Sequence, residues 1–489
     1  MMKTFVIGGI KAPENKLTAG TPIAVMPLPK QAVIHLSQHA GEAATPIVAV
    51  GDKVKTGQLI GKNNGFISAN IHSSVSGTVT KIEAVADAGG VKNMSVFIDV
   101  APDEWDERVS SDSHIEVPRS FAEWARGCPC GAYYHKNFCS AFPDERKLCY
   151  DRFRSFVADE EASPEEVIEK IKDAGIVGMG GAAFPTHVKL SPPPNTKAEI
   201  LIINAVECEP YLTSDHALML EHGIEILEGV RILKYAAKVK KAVIGIENNK
   251  KDAIKHLTEL AKRHFCGISI VPLKIRYPQG SEKQLVEAIT GQQIPNGQLP
   301  IAVGAIVQNV GTAYAVYEAI ANNKPLIERI VTVTGKHLTK PVNLSVRIGT
   351  PIHDLIAYAG GLPDDSCKVV AGGPMMGRAL PSLDLPVTKG TSGILVLSAA
   401  DTDRKTMRNC IRCARCTNVC CMGLNPSLLM NAVDFKDWDL VENNAILNCI
   451  ECGSCSFVCP SNRPLLDYIR KGKTRIRAMM KVRAKRNNS

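Results

Sequence analysis

Much of what this chain of 489 residues can do is bounded by what it lacks. It has no run of about 18 apolar residues, the shortest stretch that spans a bilayer as a helix. Its opening, Met1-Met2-Lys3-Thr4-Phe5, has no apolar core ahead of Lys11 and Pro13, so no signal peptide is expected. Aromatic residues make up only 5% of the sequence. The last twenty residues contain none, and no acid either. They carry Arg470, Lys471, Lys473, Arg475, Arg477, Lys481, Arg483, Lys485 and Arg486, which together equal the net charge of +9. Without aromatics to stack on bases, this tail does not suit nucleic acid. Acidic lipid headgroups, an acidic partner protein and a solvated, frayed terminus stay open. The 16 cysteines are too few for a disulfide scaffold in a chain this long, and their use as thiolates points to a reducing compartment.

Half of those cysteines form two matching quartets. The first reads Cys410-x-x-Cys413-x-x-Cys416-x-x-x-Cys420, and the second Cys449-x-x-Cys452-x-x-Cys455-x-x-x-Cys459-Pro460. In two-cluster ferredoxins three thiolates at this spacing wrap one cubane and the fourth crosses to the other. One 4Fe-4S cluster is therefore expected on Cys410, Cys413, Cys416 and Cys459, and a second on Cys449, Cys452, Cys455 and Cys420. Cys421 follows Cys420 directly and competes with it as a ligand, though spacing favours Cys420. Two zinc knuckles are the alternative, but they pair C-x-x-C units across a longer loop. Apolar residues between Cys421 and Cys449 recur at helical spacing, which predicts a helical ferredoxin-like domain.

The length suggests several domains, and the chain divides as follows. Residues 1–104 read as short strands in two similar halves, a β barrel-sandwich hybrid resembling biotinyl and lipoyl domains. The stretch matching their prosthetic-group tip, Gly65 to Ala69, has no lysine, so the module reads as a scaffold. Residues 105–160 read as a Cys-containing insertion. The spacing of Cys128, Cys130, Cys139 and Cys149, with His135 among them, matches no metal template. A third metal site and a loosely ordered insertion are both open, the second being the default. Residues 161–325 alternate strand and helix, which predicts a parallel sheet in a Rossmann-like α/β domain. A helix opens at Ser163-Pro164-Glu165-Glu166 as a capping box and ends at Gly175. Strands are expected over Glu199–Ala205, Ala242–Ile246 and Ile268–Leu273, with helices over Ser214–Lys238 and Asp252–His264. Gly178, Gly180 and Gly181 form a loop whose bare backbone suits a phosphate or a flavin edge. Asn204, Glu207 and Glu209 follow a buried strand, where α/β sheets bind ligands. Loop carboxylates, and a helix cap at Asn309, are the plainer readings. His187 and His216 read as structural, Cys208 as a small packed residue, and Cys266 and Cys367 as buried thiols. Residues 326–398 are β-rich, and 399–489 hold the clusters and the basic tail.

Gly178–Lys189 and Asn204–Asp215 resemble the flavin loop and the N-A-D-E-x-E-P stretch of the flavin- and NADH-binding subunit of respiratory complex I. Val206 stands in place of that family's Asp. Tyr277–Glu282 and Val307–Thr312 resemble two further ligand segments, with Gly311 in place of Glu. Over the whole chain except 105–160 the resemblance is closer to the RnfC family, a subunit of Rnf-type ferredoxin:NAD oxidoreductases. It rests on Gly8-Gly9-Ile10, Leu36–His39, Gly181–Lys189, Glu207–His216 and Gly372–Gly377. It implies FMN on Gly178, Gly180 and Gly181, helped by Asn204 and Asn309, with Lys189 near the phosphate. Glu207 and Glu209 would sit near the nicotinamide of NAD(H). It also implies a β-grasp (SLBB-like) module over 326–398 that docks the flavin domain to the cluster domain. The implied partners are integral membrane and other subunits of an Rnf-type complex and a ferredoxin-level electron carrier. The implied location is peripheral, on the cytoplasmic side of the membrane. A flavin is the adapter expected between a hydride donor and one-electron clusters. A soluble reductase of a cofactor such as cobalamin, and a relay with a vestigial flavin loop, are the competing functions.

Overall fold

The computed structural model describes residues 2–109, 163–265, 267–403 and 405–487, without the side chains of Cys367 and Asn487. Cys128, Cys130, His135, Cys139, Cys149 and Cys266 lie outside the described residues, as does the Cys367 side chain.

A short strand, β1 (Ile23–Val25), precedes the barrel. The barrel strands are β2 (Gln31–His35), β3 (Thr45–Pro46), β4 (Lys53–Val54), β5 (Leu59–Lys62), β6 (Ile71–His72), β7 (Gly77–Ala86) and β8 (Lys92–Val100). They form two sheets, β2-β8-β7-β4 and β3-β5-β6, and neighbouring strands run antiparallel. Ala32, Ile34, Leu36, Ile60, Ile71, Val79, Val96 and Ile98 fill the space between them. Gly77 cannot be larger, because a Cβ there would lie 2.1 Å from the Asp99 carbonyl oxygen.

Helix α1 (Pro164–Asp173) begins on the capping box read from the sequence. The Ser163 hydroxyl accepts from the Glu166 N–H, and the Glu166 carboxylate accepts from the Ser163 N–H. The helix stops where Gly175 takes φ +64°. There follow α2 (Thr186–Leu190), β9 (Ile200–Asn204), α3 (Ser214–Glu221), α4 (Gly223–Ala236), β10 (Lys241–Glu247), α5 (Lys251–His264), β11 (Ile268–Leu273), α6 (Glu282–Thr290), β12 (Ala305–Asn309) and α7 (Val310–Ala321). The four strands run parallel in the order β11-β10-β9-β12. Their continuous apolar runs reflect burial on both faces. The single helix expected over Ser214–Lys238 is two. His222 leaves helical geometry at φ −124°, ψ 38°. Gly223 then packs so close to α5 that a Cβ would lie 2.8 Å from His256 Nε2.

The β-grasp region holds β13 (Glu328–Thr334), β14 (Val342–Arg347), α8 (Ile352–Tyr358), β15 (Ser366–Ala371), β16 (Arg378–Ala379) and β17 (Gly393–Ser398). Its sheet order is β1-β14-β13-β17-β15-β16, so a strand from the N-terminal region forms one edge. The first stretch of the chain thus pairs with strands outside the two barrel sheets. It is a strap: Lys3 bridges to Leu273, Ile10 to Tyr277, and β1 pairs with β14.

The last domain is helical, as the spacing predicted. It contains α9 (Ala399–Thr402), α10 (Arg415–Asn418), α11 (Pro426–Asp434), α12 (Trp438–Asn443), α13 (Ser454–Phe457) and α14 (Leu465–Asn487). Leu429, Met430, Val433, Val441, Ile446, Leu465, Ile469 and Ile476 make its core. Gly472 brings α14 close, since a Cβ there would lie 2.6 Å from Val433 Cγ2. The basic tail is therefore not a frayed terminus but the outer part of a helix. Arg470 and Lys473 pair with Glu451, and Arg483 with Glu442. Among the described residues no helix is long and apolar enough to cross a membrane.

Candidate functional site

The glycine loop lies at the C-terminal end of the parallel sheet, beside the start of α7. The Gly178 N–H donates to the Phe184 carbonyl at 2.8 Å, which closes the loop on itself. The Met179 N–H donates to Thr312 Oγ1 at 2.9 Å. A Cβ on Gly180 would press on Asn309 at 3.4 Å, whereas Gly181, at φ +126°, has nothing within 4 Å of where its Cβ would stand. The loop is thus fixed on one side and open on the other. A flat ring that must approach backbone closely fits such a cradle.

Asn204 and Asn309 end the adjacent strands β9 and β12 and are paired in register. Asn204 donates to the Gly280 carbonyl at 2.7 Å. Asn309 caps α7 by accepting from the Gly311 N–H and donates to Asp215 Oδ2, both at 2.8 Å. The Lys189 ammonium is paired with Glu282 at 2.7 Å and also donates to the Val307 carbonyl at 3.1 Å.

The two glutamates face different ways. Glu207, at φ +46°, accepts from the Asp215 N–H at 2.8 Å and the His216 N–H at 3.2 Å, and so caps α3 with its carboxylate. Glu209 accepts from the Met375 and Met376 N–H groups at 2.7 and 3.0 Å. Burial pushes its carboxyl up, opposed by those two bonds. Gly373 makes room for it, since a Cβ there would lie 2.1 Å from Glu209 Cγ. Cys208 between them is packed, as expected: it accepts from the Gly280 N–H at 3.3 Å, and burial pushes its thiol up. His216 bonds Asp252 at 2.9 Å, and His187 is buried, which suits the structural role expected of both.

Three charged groups around this loop escape a reading of the sequence. Arg329 is 4% exposed and donates to the Met179 carbonyl at 3.3 Å and the Thr391 carbonyl at 3.1 Å. Burial holds its guanidinium down at about 10, while Asp215 opposes the fall. Asp215 itself is pushed up to about 7 by burial and by Glu207. Lys16, from the strap, donates to the carbonyls of Glu207, Glu209 and Leu212 at 2.9, 2.9 and 2.6 Å. The only sequence signal for Arg329 is a charge inside an otherwise apolar strand, next to Glu328.

The cysteines gather in the last domain. Cys420, Cys449, Cys452 and Cys455 influence one another. Burial raises Cys449 to about 11 and Cys455 to about 12, and in both cases Cys452 and Cys420 add to the rise. These are the four cysteines of the second quartet expected from the spacing, but among the described residues no three His, Cys, Asp or Glu side chains stand close enough together to hold a metal ion. Backbone N–H groups of Leu424 and Glu451 donate to the sulfurs of Cys420 and Cys449, each at 3.3 Å. Cys421 is buried beside Cys452, whose thiol it holds down. Cys410, Cys413, Cys416 and Cys459 are all exposed or half-buried.

This domain sits directly on the α/β domain. The Tyr277 hydroxyl donates to the Cys452 carbonyl at 2.8 Å and stands beside the Glu209 carboxylate. Gln284 Nε2 donates to the Cys421 carbonyl at 3.2 Å, and the Gly9 N–H to the Val419 carbonyl at 2.9 Å. Gly8, at φ +68°, lies so close that a Cβ would be 2.5 Å from the Cys420 carbonyl carbon.

Four family models match in chain order. They are the RnfC barrel sandwich hybrid domain over residues 4–103, the Nuo51 FMN-binding domain over 171–318, the SLBB domain over 330–379 and a 4Fe-4S dicluster domain over 409–464. The chain is 40% identical to the RnfC protein of the proton-translocating ferredoxin:NAD(+) oxidoreductase complex of Clostridium ljungdahlii, over 88% of this chain and 84% of that protein. It is 38% identical to the RnfC protein of the Na(+)-translocating ferredoxin:NAD(+) oxidoreductase complex of Acetobacterium woodii, over 96% of each. A chain in the crystal structure of an NAD+-reducing NiFe hydrogenase aligns at 19% identity with a TM-score of 0.47, over 60% of this chain and 59% of that one.

Proposed function

Because the chain belongs to the RnfC family of ion-translocating ferredoxin:NAD(+) oxidoreductase complexes, we propose that it is the peripheral electron-transfer subunit of such a complex. In this reading it works between NAD(H) and a ferredoxin-level carrier, on the cytoplasmic side of a membrane whose integral subunits move the ion. Bound FMN would supply the conversion between the two electrons of one hydride and single electrons, and two 4Fe-4S clusters would supply one-electron carriage. Gly178, Gly180 and Gly181 cradle the flavin, with Asn204 and Asn309 at its edge and Arg329 fixing the loop from below. Lys189 lies toward the phosphate, already neutralised by Glu282. Glu207 and Glu209 order the backbone facing the nicotinamide rather than moving a proton, since hydride transfer to flavin needs none. Cys410, Cys413, Cys416 and Cys459 hold one cluster, and Cys449, Cys452, Cys455 and Cys420 the other.

The observation that carries this reading is the contact from Tyr277 to the Cys452 carbonyl. It joins the end of the glycine-loop sheet to a cysteine loop with no domain between them. The relatives named above all belong to multi-subunit complexes, so a soluble cofactor reductase is not favoured. The test is anaerobic purification with iron and flavin counts, then NADH. About eight irons and one flavin are expected, with flavin and cluster absorption bleaching together. A protein with iron but no flavin would instead support a relay with a vestigial loop.

A further inference from the structure

The cluster domain has an inner and an outer side. The inner side is Val419–Cys421 and Cys452–Gly453, packed on the strap, on Tyr277 and Gln284, and on the Met375 carbonyl. The outer side is the segment from Lys405 to Arg415, every residue of which is exposed. This is not a loose loop. The Arg408 N–H donates to the Ser461 carbonyl at 2.9 Å, and Asn462 Nδ2 donates to the Thr406 carbonyl at 3.3 Å. The segment nevertheless presents Met407 at 52% and Ile411 at 68% exposure. Phe457, 52% exposed, lies on α13, which packs against α10 at the segment's end. Lys405, Arg408, Arg412 and Arg415 alternate with Met407 and Ile411 along the same exposed segment. None has a carboxylate partner among the described residues, and no acid stands between Asp403 and Asp434 in the sequence.

Exposed apolar residues interleaved with unpaired cations along one segment form a small docking face that selects an acidic partner. The same segment contains Cys410 and Cys413. We infer that Lys405–Arg415 is where an acidic protein bearing its own one-electron centre docks. A cluster held by Cys410, Cys413, Cys416 and Cys459 would supply one electron to that centre, which would be reduced by one as the cluster is oxidised by one. The inner quartet, beside Tyr277, is then the entry. This inference rests on the electron-carrying reading above. A lipid surface is the weaker occupant, because it would insulate the very loop that must exchange electrons.

The test uses the anaerobic holoprotein, photoreduced and mixed in a stopped-flow cell with a small acidic 2Fe-2S ferredoxin. The second-order rate should fall as salt rises. Arg408→Glu with Arg412→Glu should lower it about ten-fold at low salt and flatten the salt dependence. Lys471→Glu with Arg477→Glu, on α14, should not. A zero-length carbodiimide cross-link should join a ferredoxin carboxylate to Lys405. Equal rates in wild type and the Arg408/Arg412 variant would overturn the inference. So would an equal loss in the α14 variant, or phosphatidylserine vesicles that capture wild type but not the Arg408/Arg412 variant while ferredoxin rates stay equal. If the double variant loses iron, the wild type's salt dependence and Arg412→Gln decide, and a flat dependence is fatal. Failure of the protein to bleach on photoreduction would instead remove the electron-carrying reading itself.

Discussion

At the scale of single residues, two adjacent cysteines compete for one place. Cys420 accepts an N–H bond from Leu424, as cluster thiolates do, whereas no other residue's backbone N–H among the described residues donates to the buried Cys421 thiol beside Cys452. Cys420→Ser should cost about four irons per chain, and Cys421→Ser should keep them, as read by iron analysis and cluster EPR. Lys389 makes a second case. It is 1% exposed, and its ammonium donates to the carbonyls of Asn70 and Gly175 at 2.8 and 2.7 Å. Burial pulls it from 10.5 to about 7. Between those values the unfolded chain binds a proton that the folded chain does not, so stability rises with pH across that window. The burial penalty is complete below about pH 7 and relieved toward 10.5. Relative to Lys389→Met, the wild type should therefore gain melting temperature as pH rises from 7 to 10. The 4Fe-4S dicluster domain was legible in the sequence because cysteine spacing along the chain carries its chemistry. Lys389 and Arg329 were not, because nothing local distinguishes a buried cation from a solvated one.

At the scale of elements, helix starts and parallel strands were readable wherever a capping box or an apolar run stood alone. The box at Ser163 and β11, which matches its expected bounds residue for residue, are examples. The break between α3 and α4 was not, since it depends on how close Gly223 comes to His256 across a gap in sequence. Gly229 shows the same dependence. In the pairing of α4 with α7 a Cβ at this position would lie 1.8 Å from the Ala313 carbonyl oxygen. Gly229→Ala raises intrinsic helix propensity, yet it forces apart the helix whose first turn carries Asn309 and Thr312. Overpacking should win, with a loss of about 1–3 kcal/mol in denaturant unfolding and weaker flavin retention.

At the scale of the whole molecule, the order of domains was legible and their assembly was not. Residues 1–104 read from the sequence as one barrel domain, and what that reading did not contain is that residues 3–25 reach three other parts of the protein. Tyr277 lies where those parts meet. Tyr277→Phe removes a hydrogen bond worth about 1 kcal/mol and should leave iron content intact. Freeze-quench EPR should show cluster reduction lagging behind flavin bleaching, where the wild type shows them together. The strap also imposes an order of events. Its strand Ile23–Val25 waits for Asn343–Ser345, and Gly8 and Gly9 wait for Val419–Cys420. A ribosome delivers those partners long after the strap has emerged. The nascent chain therefore carries an unmatched edge through most of its synthesis, and the last partners the strap meets are the cysteine loops.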